Sequence, residues 1–170
     1  DCSSCVEVAY LDIDQMRSTF TELATLLLGD AKQAKSFMSK AKLHSMEELE
    51  DSWWNLYEKL LSTGRARELS LKIELEDFLY YVQKLIHNKK LSTGENLTGD
   101  VSIDTSAFDD SQCIGDWCAH FNSTWKNHKL VGMDIGTDSL VLMVLSNEEF
   151  KRAQELAKEL LHRIDVAERL

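Results

Sequence analysis

Not one proline interrupts this chain of 170 residues, where average usage would place about eight. Proline breaks helix interiors and punctuates the turns of many-stranded sandwiches. Its absence favours long, uninterrupted helices. Hydrophobic residues at 44% and charged residues at 28% sit near globular averages, which excludes a disordered chain or a fibre. The length is that of one ordinary domain, so residues 1–170 are read as a single unit. The longest apolar runs, Leu26–Leu28 and Leu140–Leu145, fall far short of the roughly 20 residues a membrane span needs.

Helical spacing recurs through the first half. Met16, Phe20, Leu23, Ala24, Leu27 and Leu28 form one face of a helix over about residues 14–28, closed by Gly29. Asp30 is a candidate N-cap for a second helix with Ala34, Phe37, Met38 and Ala41 inward. Lys32, Lys35, Lys40 and Lys42 then form its polar side. Ser45 and Glu48 match a capping box ahead of the clearest stripe in the chain: Met46, Leu49, Trp53, Leu56, Tyr57 and Leu60. A fourth helix is expected over about residues 73–87. The tetrapeptide Leu-Ser-Thr-Gly ends at both Gly64 and Gly94, and is read as two similar helix exits.

Residues 92–112 are rich in Ser, Thr, Asp, Asn and Gly, which predicts a long acidic loop, with a short strand at Val101–Asp104. Asp116 is the expected N-cap of a helix whose stripe is Trp117, Phe121 and Trp125. Two extended runs, 130–135 and 139–145, flank Gly136-Thr137-Asp138 and read as a β-hairpin. Ser146 and Glu149 form a second capping box and open a last helix. The order predicts an α+β fold: a helix-rich N-terminal half packed with a small antiparallel sheet (hairpin 130–145) and a C-terminal helix. A lone hairpin is marginal, so Val101–Asp104 or Ile164–Val166 is expected to add a strand.

The formal charge is −10, from 29 acids and 19 bases. Six acids and no base lie between Glu95 and Asp116. Such a surface repels phosphate backbones and attracts a basic protein or a cation, so no nucleic-acid partner is expected. Trp53 continues the buried stripe. Trp54, about 100° further round a helix, falls at its boundary, where partly exposed tryptophan favours binding.

The four cysteines are too few for a disulfide scaffold, and cytoplasmic localisation is expected. Cys2 and Cys5 have the spacing of a redox or metal pair. Cys113, Cys118, His120 and His128 are metal-ligand types in a non-standard order, and on a helix Cys118 and His120 would point about 200° apart. Cys118 reads better as a small buried hydrophobe. Asn96-Leu-Thr98 and Asn122-Ser-Thr124 match the glycosylation sequon. No nucleophile elbow, zincin, Walker, EF-hand or dinucleotide motif is present.

The run Val131-Gly-Met-Asp-Ile-Gly-Thr-Asp-Ser139 resembles the first phosphate loop of the actin, heat-shock chaperone and sugar-kinase superfamily. That resemblance implies Asp134 and Asp138 near a metal and a nucleotide. The superfamily needs two large lobes, which a chain of this length cannot supply. The last 60 residues or so resemble a bacterial family known only as a domain of unknown function. Its pattern is Asp-Trp-Lys, a helix, a hairpin with an Asp-Ser turn, and a C-terminal helix. Asp116-Trp117 and Asp138-Ser139 match it here, with Cys118 in place of Lys. The resemblance implies a small α+β fold and no established activity.

The leading expectation is a non-enzymatic interaction protein without cofactor. It would bind a basic protein through Trp54, Asp104, Asp109, Asp110 and Asp116, as toxin-neutralising immunity proteins of bacteria do. The alternatives are a metal- or nucleotide-dependent enzyme using Asp134 and Asp138, with Cys113 and Cys118 as further ligands, and a structural homodimer.

Overall fold

The computed structural model describes residues 12–94, 97 and 100–170. Cys2, Cys5 and the sequon asparagine Asn96 lie outside the described residues. Among those described are six α-helices: α1 (Ile13–Leu28), α2 (Ala31–Lys40), α3 (Met46–Ser62), α4 (Leu75–Thr93), α5 (Ile114–Thr124) and α6 (Asn147–Glu159). Four strands, β1 (Ala66–Leu69), β2 (His128–Met133), β3 (Leu140–Ser146) and β4 (Ile164–Val166), form one antiparallel sheet in the order β1-β3-β2-β4. The fold is α+β, as the order of elements predicted.

Local chemistry accounts for the helix ends. The Asp12 and Asp30 carboxylates each accept two backbone N–H bonds at the starts of α1 and α2. Ser45 Oγ accepts from Glu48 N, and Ser146 and Glu149 cap each other. Both Leu-Ser-Thr-Gly segments do end helices. Gly64 (φ +75°) follows α3 and Gly94 (φ +69°) closes α4, which runs six residues beyond its expected end at residue 87. Met46, expected inward, is exposed.

β3 is apolar from Leu140 to Leu145, and all six side chains are buried. Successive strand residues point to opposite faces, so both faces must be covered. Val141, Met143 and Leu145 join a core with α1, α3 and α6. Leu140, Leu142 and Val144 join a second core with α4 and α5, centred on Phe78, Trp117, Phe121 and Trp125. The sheet is therefore the middle layer of three.

One strand expectation and one cap need correction. Val101–Asp104 is not a strand; Val101 is instead a buried loop residue, with a 3₁₀ turn at Thr105–Ala107 following. The place beside β3 goes to β1, whose central residues are charged. Arg67 stacks over the Tyr81 ring of α4 at 4.3 Å, and Glu68 accepts from Tyr57 of α3 and from Ser139 (2.6 Å). Ile164–Val166 pairs with β2 as expected. Asp116 is not the N-cap of α5: Cys113 holds that position, and Asp116, three residues on, reaches back to accept from Cys113 N at 3.3 Å.

One ion pair joins the two helical layers past the end of β3. Lys89 of α4, 4% exposed, donates to Glu149 of α6 at 2.8 Å. Burial pushes the Glu149 carboxyl up, but the Lys89 ammonium and the Ser146 N–H outweigh it and hold the group below its ordinary range.

Leu142→Ala and Met143→Ala, which empty opposite faces of one strand, should each cost about 2–5 kcal/mol in urea unfolding. A near-neutral result for either would contradict the three-layer packing. Glu149→Gln should cost about 1–3 kcal/mol at neutral pH, because it takes the charged partner away from a buried hydrogen bond of Lys89. The double variant with Lys89→Met should recover part of that loss in the same assay.

Candidate functional site

Two of the concave regions lie at different kinds of structure: one where a loop meets a helix start, the other between a helix and two turns. The first is an open groove of about 510 Å³ at the start of α4. Glu74, Glu76, Asp77 and Asp110 line it with Leu75, Leu79 and Thr105, and no basic residue does. Glu76 and Asp77 occupy the first turn of α4, where the helix dipole favours negative charge. Asp110 and Thr105 come from the long loop.

That loop is held down by partners distant in sequence. Trp117 Nε1 donates to the Asp109 carbonyl at 2.9 Å, and Trp125 Nε1 to that of Ser102 at 3.4 Å. Asp100 accepts from the backbone of Lys126 (2.9 Å) and Asn127 (3.0 Å) and bonds His128 Nδ1 at 2.6 Å. Burial pushes the Asp100 carboxyl up, but these bonds outweigh it and hold it below its usual range. His128 is buried, and its Nε2 has no hydrogen-bond partner among the described residues.

Within the loop the acids divide into two uses. Asp104 accepts from Ser106 N and Oγ, and Asp109 from Ser111 N and Oγ, so each caps a local turn. Those bonds hold both carboxyls below their ordinary range. Asp110 and Asp116 are exposed. Of the expected partner-binding acids, only Asp110 lines the groove.

The second region is a cleft of about 390 Å³ bounded by α3, the β2–β3 turn and the α6–β4 turn. Trp53, 3% exposed, stacks on His162 with centroids 4.1 Å apart and planes 3° from parallel. Its Nε1 donates to the Asp134 carbonyl at 2.9 Å. Glu50 Oε1 lies 2.9 Å from His162 Nε2 without hydrogen-bond geometry. Trp54 is 40% exposed, as its helix position predicted. Leu161, at the exit of α6, has φ +62°, a conformation that a residue with a β-carbon adopts at a cost.

The metal-ligand candidates fall into two separate pairs: Cys113 and Cys118 at the start of α5, and Asp134 and Asp138, which line a cleft of about 320 Å³ beside the β2–β3 turn. Cys113 is exposed and donates its Sγ to Asp116 at 3.2 Å. Cys118 is buried, and burial raises its thiol far above the ordinary range, as suits a small hydrophobe. Asp134 Oδ1 accepts from Gly136 N at 2.8 Å, which shapes the turn. Asp138 is exposed in the same turn. Among the described residues no three His, Cys, Asp or Glu side chains converge as a metal site would require. The sequon residue Asn122 is fully engaged: its Oδ1 accepts from Leu130 N (2.7 Å), and its Nδ2 donates to Leu130 O (2.9 Å) and Glu168 (2.7 Å). Among the described residues, no helix is long and apolar enough to cross a membrane.

The fold and its concave regions define a small α+β domain with no assembled metal site among its described residues. The chain belongs to a family, DUF6630, described as a domain of unknown function, whose pattern matches residues 16–167. The match spans nearly the whole chain, not only the last third where the resemblance was legible. No curated protein and no solved structure matches it.

Glu50, His162, Arg163 and the first-turn acids of α4 were not singled out by sequence. For α4 the signal existed: Glu74, Glu76 and Asp77 are three acids within four residues. For the cleft none did, since its walls come from one helix and two turns far apart in sequence. Asp100→Asn should cost about 1–3 kcal/mol and speed hydrogen exchange at the Lys126 and Asn127 amides. The depressed carboxyl sets the sign: its contribution is complete above the ordinary carboxylate range and disappears as pH falls below it. The difference between wild type and variant should therefore shrink on acidification through about pH 4.

Proposed function

We propose that this protein is a non-enzymatic interaction domain that engages a basic protein partner through the groove at the start of α4. The observation that carries the reading is the convergence of Glu74, Glu76, Asp77 and Asp110, from two separate segments, on one concave surface without a base. The net charge of −10 adds a long-range field of the same sign. Such a field speeds encounter with a cationic surface and suppresses anionic competitors. Leu75 and Leu79 give the groove an apolar component that a basic amphipathic segment can cover.

Small acidic inhibitors of basic toxins, the immunity proteins of bacteria, have this profile, and a cytoplasmic setting accords with it. The reading assigns Asp104 and Asp109 an indirect part: they shape the turns that carry Asp110, while their charge adds to the field.

The test is binding of a fluorescent lysine-rich peptide, without arginine, followed by anisotropy from low to high salt. Asp77→Asn with Asp110→Asn should weaken binding about tenfold or more at low salt and flatten the salt dependence. Glu47→Gln with Glu148→Gln, which removes the same charge elsewhere, should leave affinity within about twofold. Equal loss from both pairs would mean that only net charge matters, and would refute a specific groove.

A further inference from the structure

The cleft between α3 and the two turns has a chemistry of its own. Trp54 is exposed but not loose: its Nε1 donates to Glu58 at 2.7 Å, and its ring packs edge-on against Tyr57 at 5.0 Å. A surface tryptophan held in one orientation offers its π-face with little further loss of side-chain freedom on binding. Glu50 of α3 and Asp134 of the β2–β3 turn bring carboxylates to the same cleft. Arg163 and His162 are the basic residues in the lining, and His162 Nε2 lies 2.9 Å from Glu50 Oε1. The Arg163 guanidinium donates to Asp165 (3.0 Å) and to the Arg169 carbonyl (2.8 Å), so its charge is already matched. What remains is an aromatic face beside the acidic residues Glu50 and Asp134.

We propose that this cleft is an anchor pocket for the guanidinium of an arginine side chain of the partner. The arginine stacks on Trp54 and turns its N–H groups to Glu50 and Asp134. Tryptophan is the aromatic residue that attracts a cation most strongly. A guanidinium is planar, weakly hydrated and able to stack and donate at once, which an ammonium cannot match. A neutral polyol would gain less from two carboxylates than a cation does. Leu161, held at φ +62°, keeps one wall of the cleft in place. The inference rests on the reading of a basic partner, but occupies a surface separate from the groove that carries it.

The test uses the full chain, labelled with ¹⁵N, and follows the Trp54 indole N–H, assigned by its loss in Trp54→Phe. N-acetyl-arginine methylamide is titrated against its neutral isostere, N-acetyl-citrulline methylamide. Arginine should give a saturable shift at least about tenfold stronger in affinity than citrulline. Glu50→Gln and Asp134→Asn should each weaken it several-fold, while Asp77→Asn with Asp110→Asn leaves it unchanged. Equal response to citrulline, or no shift at Trp54, overturns the proposal, as does equal weakening by the groove variants. Trp54 and Glu50 are on the surface, so intact melting of Trp54→Phe and Glu50→Gln separates lost binding from lost folding. Arginine binding without affinity for the lysine peptide overturns the groove reading alone; the converse overturns the pocket alone.

Discussion

β3 sets the terms for the whole molecule. Six consecutive apolar residues, Leu140 to Leu145, leave it no face that tolerates water. An antiparallel sheet commonly keeps one side wet. Here a second helical layer is obligatory, and each layer is shaped by the half of β3 it covers. On one side Val141, Met143 and Leu145 meet the leucine-rich faces of α1, α3 and α6. On the other, Leu142 and Val144 meet a cluster of rings in which Phe78 packs on Trp117 at 5.4 Å and Phe121 on Trp125 at 5.0 Å. The edge strands β1 and β4 need far less apolar surface, because each pairs with a partner that is already buried.

Holding two layers around one sheet calls for connections that bypass it. Lys89 and Glu149 supply one between α4 and α6. Within the α1 layer Gly29 permits a further contact: a β-carbon there would lie 1.7 Å from the Arg65 guanidinium, whose Nε donates to the Leu27 carbonyl at 3.2 Å. Glycine at φ +67° therefore serves both the helix exit and the close approach of a charged group to the last carbonyls of α1. The loop before α5 is tied by indole N–H groups of the aromatic core itself, so the ring cluster that fills one layer also orders the acidic segment over it. The α4 groove and the Trp54 cleft stand outside these connections, at turns and a helix start, where side chains can face solvent without opening the core.

Much of this was legible along the chain. Helices α1 to α3 and α6 announce themselves through caps and 3.6-residue spacing, and the hairpin through two apolar runs about a Gly-Thr-Asp turn. β1 was not legible, because its four residues carry charges at both centre positions. Arg67 and Glu68 become intelligible only when Tyr81 and Tyr57 stand over opposite faces of the strand. Val101 misled in the other direction: an apolar residue among polar ones looks like strand, but here it plugs a loop into the ring cluster. Of the site candidates, Trp54 was placed correctly by helix angle alone. Asp104 and Asp109 were read from charge without sight of the serines two residues on that occupy them. Glu50, His162 and Arg163 carry no local signal, since what distinguishes them is mutual proximity.

The sequence by itself determined helices α1 to α3 and α6, the caps at Gly29, Asp30, Ser45 and Ser146, the hairpin, the acidic surface and the burial of Trp53 against the exposure of Trp54. These depend on neighbours within about one helical turn or on a fixed angular step, so the information is local. Only the tertiary structure decided that the sheet lies between two helical layers, that β1 and not Val101–Asp104 pairs with β3, and that α4 meets Asp110 in one groove. It alone brought α3, a hairpin turn and the exit of α6 around one cleft. Those outcomes depend on which buried surfaces meet and which polar groups find partners far along the chain, and no local spacing encodes them.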